Sequence, residues 1–118
     1  MHKLTILFDQ PLAWAAFEQG WQKFLGLAEK MPGLMKETVG ETEQLVFGRE
    51  LAHYAKIHEL YFESRESLDA ALQSEAGQAA GGWLQEFTCG HFTLLIAEHK
   101  EANPSEFKQA TRGPSISP

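Results

Sequence analysis

Cysteine is nearly absent. Cys89 is the only one in 118 residues, so no disulfide forms within the chain and a disulfide-stapled scaffold is excluded. Long hydrophobic runs are missing too. No stretch approaches the roughly 18 apolar residues that a membrane-spanning helix needs. Residues 1–8 do not read as a secretory h-region, because Thr5 interrupts the segment and Asp9 ends it with no small-residue cleavage site behind. Basic charge is scarce: 10 Lys and Arg stand against 16 Asp and Glu, a formal net charge of −6. Phosphate binding needs a basic patch, so nucleic acid is excluded as the main partner. Neither a GxGxxG nor a P-loop pattern occurs, which argues against a tightly bound nucleotide. No two of the five histidines have the short helical spacing of a zinc site, so no metal is expected. What remains is a chain with 43% apolar residues, enough for one globular domain with its own core. A cytoplasmic protein that meets no membrane is the expectation.

The pattern along the chain orders the elements. Residues 3–8 (KLTILF) alternate as a strand, and Asp9 and Pro11 punctuate its end. From about Leu12 to Met31, Trp14, Phe17, Trp21, Phe24 and Ala28 recur at +3, +4, +3, +4, which predicts one amphipathic helix. Pro32-Gly33 stops it. Residues 34–42 (LMKETVGET) suit an edge strand, their charges resisting mispairing. The conformation of 43–54 stays open between a helical turn and an extended excursion. Residues 55–63 (AKIHELYFE) alternate as a strand. Ser64 offers an N-cap to a short helix, and Ser74 with Glu75 starts another that Cys89-Gly90 breaks. Residues 91–98 (HFTLLIAE) form the last strand. The domain is expected over 1–100, with an extended or disordered tail over 101–118 in which Phe107 is the one anchor.

The order β-α-β-β-α-β is the ferredoxin-like split βαβ arrangement, an α+β fold with a four-stranded antiparallel sheet. On one strand parity Leu4, Ile6, Phe8, Leu60, Phe62, Phe92, Leu94 and Ile96 are all apolar and belong under the helices. The opposite parity, with Leu7, Ile57, Glu59, Tyr61 and Leu95, is mixed but too apolar to stay wet. A second copy of the chain is the economical cover, so a homodimer packing sheet on sheet is expected with those five residues at its interface. Glu59, partly buried there, needs a partner, for which Tyr61, Thr5, Thr93 or the second chain would serve.

With the elements placed, the chain resembles the EthD family of the dimeric α/β-barrel superfamily. The segments that carry the resemblance are KLTILF at 3–8, LAEKMPGL at 27–34, HELYFESRESLDAALQSEAGQAA at 58–80 and GHFTLLIAE at 90–98. The resemblance implies a ferredoxin-like protomer, a barrel-like dimer and a small-molecule cavity between sheet and helices. It also implies relatives among small cyclases and isomerases of polyketide or aromatic intermediates, and a loose association with oxidoreductases of degradative pathways. Family members often carry His-x-Pro-Leu near the end of the first helix. Here the stretch is Phe24-Leu25-Gly26-Leu27, and Trp83 stands where members often have an acidic residue.

His58 shares the parity of Leu60 and Phe62 and points toward the helix layer, which makes it the candidate proton carrier. Trp21, Phe24, Trp83 and Phe87 are the candidate walls of a pocket for a flat apolar or aromatic metabolite, without any cofactor. Cys89-Gly90-His91 reads as a small buried thiol at a helix–strand turn rather than a nucleophile and base. Three functional readings follow: a cofactor-free cyclase or isomerase, a binding or assembly module that has lost the family histidine, and, more weakly, a haem-handling protein.

Overall fold

The structure, a computed structural model, describes residues 1–49 and 53–109. Its elements run β1 (His2–Asp9), α1 (Trp14–Ala28), β2 (Lys36–Glu41), β3 (Tyr54–Phe62), α2 (Arg65–Gln73), α3 (Glu75–Thr88), β4 (Phe92–Glu98) and a single turn, α4 (Glu106–Gln109). The four strands pair antiparallel in the order β2-β3-β1-β4. This is the ferredoxin-like α+β fold. Residues 42–49 have no regular helix or strand, and 50–52 lie outside the described residues.

Register follows from the alternation. Ile6 pairs with His58 on one side and Leu94 on the other, and Phe8 pairs with Lys56 and Phe92. The helix-facing parity of β1 and β3 is buried: Leu4, Ile6, Phe8, Leu60 and Phe62 form the core with Phe17, Trp21, Phe24 and Ala28 of α1 and Leu68, Ala71, Ala80 and Leu84 of the later helices. Two expectations need correction. Leu94 and Ile96 share that parity yet remain 46% and 38% exposed. Both lie on an edge strand, β4, of which only Phe92 packs against the core. Trp14, predicted on the inward stripe, is half exposed because it opens α1 past the end of the sheet, with its ring edge-on to Phe17.

Close helix packing has a local cause. A Cβ at Gly20 would lie 2.6 Å from the Phe87 ring, so the missing side chain lets α3 approach α1. Trp83 Nε1–H, donating to the Gly20 carbonyl at 2.8 Å, seals that approach. The α2–α3 corner rests on serines. Ser64 caps α2 by accepting from the Ser67 N–H, and Ser74 caps α3 by accepting from the Gly77 N–H at 3.0 Å while its hydroxyl donates to the Ala71 carbonyl. Cys89 ends α3 in the left-handed conformation, φ 53°, and its side chain is exposed rather than buried.

Candidate functional site

On the helix side of the sheet, one polar seam runs through the otherwise apolar core. His58 on β3 is fully buried. Its ring lies edge-on to Trp21 at 5.7 Å and to Phe24 at 5.8 Å. The Trp21 indole N–H points at His58 Nδ1 over 3.4 Å, and His58 Nε2 lies 2.8 Å from Glu37 Oε1 on β2. An indole N–H only donates and a carboxylate only accepts, so these partners specify the tautomer: Nδ1 accepts and Nε2–H donates. Burial pushes the His58 imidazole from the ordinary 6.5 down to about 4; Glu29 pulls it part of the way back and Lys56 pushes it lower. The ring is therefore neutral near pH 7, and its contact with Glu37 is a hydrogen bond, not an ion pair. Beyond Glu37 lies the exposed Glu29 carboxyl at the end of α1, raised by hydrogen bonding to Glu37 and then by repulsion between the two carboxylates.

Lys56 shares this face and is almost fully buried. Its Nζ sits 2.7 Å from Glu41 Oε1 and 3.0 Å from Glu18 Oε1, and 4.0 Å from the centre of the Trp21 ring. Burial works against the ammonium, but the hydrogen bonds from Lys56 to Glu41 and Glu18 outweigh it and raise its pKa. Trp21 is thus held by a cation on its face and an imidazole on its N–H. No group of three or more His, Cys, Asp or Glu side chains among the described residues is placed to hold a metal ion.

Three of the four aromatic residues singled out from the sequence, Phe24, Trp83 and Phe87, meet in one chain of contacts, and Trp21 joins it through the His58 ring. Phe24 lies 6.2 Å from Phe87, and Phe87 lies 5.8 Å from both Trp83 and Phe17. Of the four, Phe87 also lines a cavity of about 420 Å³, between the end of β1, the start of α1 and the end of α3. Its apolar wall comes from Pro11, Leu12, Ala13, Ala16, Phe17 and Phe87, and Asp9 and His91 lie among its polar lining. The Asp9 N–H donates to the His91 carbonyl at 3.1 Å, and His91 Nδ1 lies 3.9 Å from Asp9 Oδ2. The sequence reading missed Asp9, Glu37 and Lys56. Lys56 was detectable by its shared parity with His58. Glu37 and Asp9 were not, because only strand pairing and the β1–β4 junction place them.

On the opposite sheet face, Glu59 finds its partners within the protomer. Thr5 Oγ1 donates at 3.0 Å, Tyr61 OH at 3.2 Å, and Lys3 Nζ lies 2.8 Å away. Burial alone would push this carboxyl up; the hydrogen bonds from Lys3 and Thr5 outweigh it and hold it below the usual range. Tyr61 is buried, with Lys3 and Lys36 over its ring and His99 against its edge. Leu7 pairs with Ile57, and Leu95 pairs with Thr5 one step along the same face, with Ile57 39% and Leu95 49% exposed.

These features define a small ferredoxin-like protein with a polar seam and an apolar cavity on its helix side. No family model matches the chain. It is 29% identical over 105 residues to an uncharacterised 11.0 kDa protein of Rhodococcus erythropolis from the thcB–thcC intergenic region, covering 88% of this chain and 100% of that protein. A solved EthD family protein from Bacillus halodurans C-125 has a TM-score of 0.77 and 29% identity, over 85% of this chain and 99% of the other. A dimeric ferredoxin-like protein of unknown function from Jannaschia sp. CCS1 shares the fold, with a TM-score of 0.57 and 22% identity over 83% and 97% of the two chains. Within the ferredoxin-like class, the chain's resemblance to the EthD family holds.

Proposed function

We propose that the protein is a homodimer whose protomers each bind a small apolar or aromatic molecule on the helix side of the sheet. The observation that carries this is the cavity of about 420 Å³ at the start of α1, whose volume and mainly apolar wall are those of a small-molecule site. Dimerisation is supported by the uncovered Ile57 and Leu95 and by the dimeric Jannaschia relative.

His58 fits an anchoring role better than a catalytic one. Both its ring nitrogens are engaged by Trp21 and Glu37, and Phe24 and Phe87 stand between it and the cavity. The binding-module reading is therefore preferred to proton transfer at His58. The test is calorimetric titration with the neutral apolar probe N-phenyl-1-naphthylamine. Ala16 is exposed on α1 and lines the cavity, so Ala16→Trp fills the cavity without entering the core. Binding is expected to weaken at least about ten-fold in that variant. Equal binding by parent and variant would place the ligand elsewhere.

A further inference from the structure

We infer that the cavity selects uncharged aromatic molecules that carry a hydrogen-bond donor, such as a phenol or an arylamine, and rejects aromatic carboxylates. This deepens the preceding reading and rests on it. The cavity has two chemically different parts. Phe17 is a buried wall residue and Phe87 packs 5.8 Å from it, so two ring surfaces are available to a flat apolar body. The polar part is lopsided. Asp9 is the one carboxylate and the one fixed charge among the lining residues, since Gln10, Thr88, Cys89 and His91 complete the polar lining and neither lysine nor arginine is among them.

A carboxylate accepts hydrogen bonds and donates none. Asp9 therefore favours a ligand that brings its own O–H or N–H, and a hydrogen bond to an ionised acceptor is stronger than a neutral one. A ligand carboxylate seated on the same ring surfaces would meet Asp9 as a like charge, and no lysine or arginine lines the cleft to offset it, His91 being its one basic side chain. The net charge of −6 works in the same direction. His91 narrows the geometry. Its Nδ1 faces Asp9 at 3.9 Å, beyond hydrogen-bond distance, so Asp9 keeps acceptor capacity for a ligand donor that approaches from beside the pair. The backbone bond from Asp9 to the His91 carbonyl continues the β1–β4 pairing one step beyond Phe8 and Phe92, so it ties the connection before β4 to the last residue of β1.

The test compares three ligands of one shape: 2-naphthol, naphthalene and 2-naphthoate. Each is titrated calorimetrically into the full chain, into Asp9→Asn and into His91→Gln. The parent should bind 2-naphthol about ten-fold or more tighter than either of the others. Asp9→Asn should lose most of that preference, and naphthalene affinity should stay within about two-fold. Equal affinity of the parent for 2-naphthol and naphthalene, tight binding of 2-naphthoate, or an undiminished preference in Asp9→Asn would each overturn the selectivity and leave the apolar pocket standing. No binding of any of the three would overturn both readings. Asp9 and His91 are partly or largely exposed, so both variants should keep the parent's circular dichroism. If Asp9→Asn does not, the three-ligand comparison on the parent still decides.

Discussion

At the residue scale, His58 is a buried group whose protonation the fold opposes. Its imidazole titrates near 6.5 when unfolded and near 4 when folded. Between those values the unfolded chain binds a proton that the folded chain does not, so stability is full above about pH 6.5 and is lost as pH falls toward 4. The difference corresponds to about 3 kcal/mol. Urea unfolding of the parent and of His58→Gln at about pH 7 and about pH 4 should show the parent losing about 3 kcal/mol more than the variant over that window. Parallel losses would mean that His58 protonates freely in the folded state. This behaviour was only half legible in the sequence. Parity placed His58 on the helix side. The carboxylate that fixes its tautomer comes from β2, a strand with little apolar character whose pairing with β3 no local pattern specifies.

At the scale of elements, the α2–α3 corner is the tightest joint among the described helices. A Cβ at Gly77 would meet the Ala71 carbonyl oxygen at 2.0 Å and the Leu72 carbonyl oxygen at 2.7 Å, both backbone atoms that cannot step aside without moving α2. Gly77→Ala should therefore cost several kcal/mol or prevent folding. Gly81, in the same helix, has nothing within 4 Å of a Cβ. Gly81→Ala should stabilise by about 1 kcal/mol through helix propensity. Chemical denaturation of the two variants checks the contrast, and equal effects would show that the corner relaxes. The two serine caps were visible as local signals because a cap needs only its own neighbours. The Gly77 clash depends on how one helix folds back on another, and sequence patterning carries nothing about that.

At the scale of the whole molecule, β4 bears the open question of cover. Leu95 on the outer face and Leu94 and Ile96 on the other are all more than a third exposed, so this edge is apolar on both sides. The proposed homodimer should become a monomer on Leu95→Asp in analytical ultracentrifugation at micromolar concentration; a monomeric parent would overturn the dimer, and an unchanged dimer would show that the partner sits on another face. Past His99, which packs on the Tyr61 ring, the described residues leave the core. Residues 101–108 are exposed, including Phe107 on α4. Truncation after Ala102 should leave the melting temperature within a few degrees, since residues 103–108 are exposed and offer little apolar burial against their ordering entropy. A large drop would mean that the removed residues dock on the domain or on its partner. Among the described residues, no helix is long and apolar enough to cross a membrane.

What the sequence determined by itself was whatever depends on near neighbours: the alternation of β1, β3 and β4, the stripe of α1, the caps at Ser64 and Ser74, and with them the order of elements and the fold. The tertiary structure decided which of the polar groups meet. Lys56 is held by Glu41 and Glu18 and His58 by Glu37 and Trp21, each assembled from residues that strand pairing or helix docking brings together, whereas for Glu59 the strand faces had already offered Thr5 and Tyr61 and the structure adds Lys3. The cavity beside Asp9 and His91 likewise arises where three elements end at one edge of the sheet. Periodicity reports which face of an element is apolar. Where those faces stop covering one another is set by helix length and by the sheet's edge, and that is a property of the assembled layers.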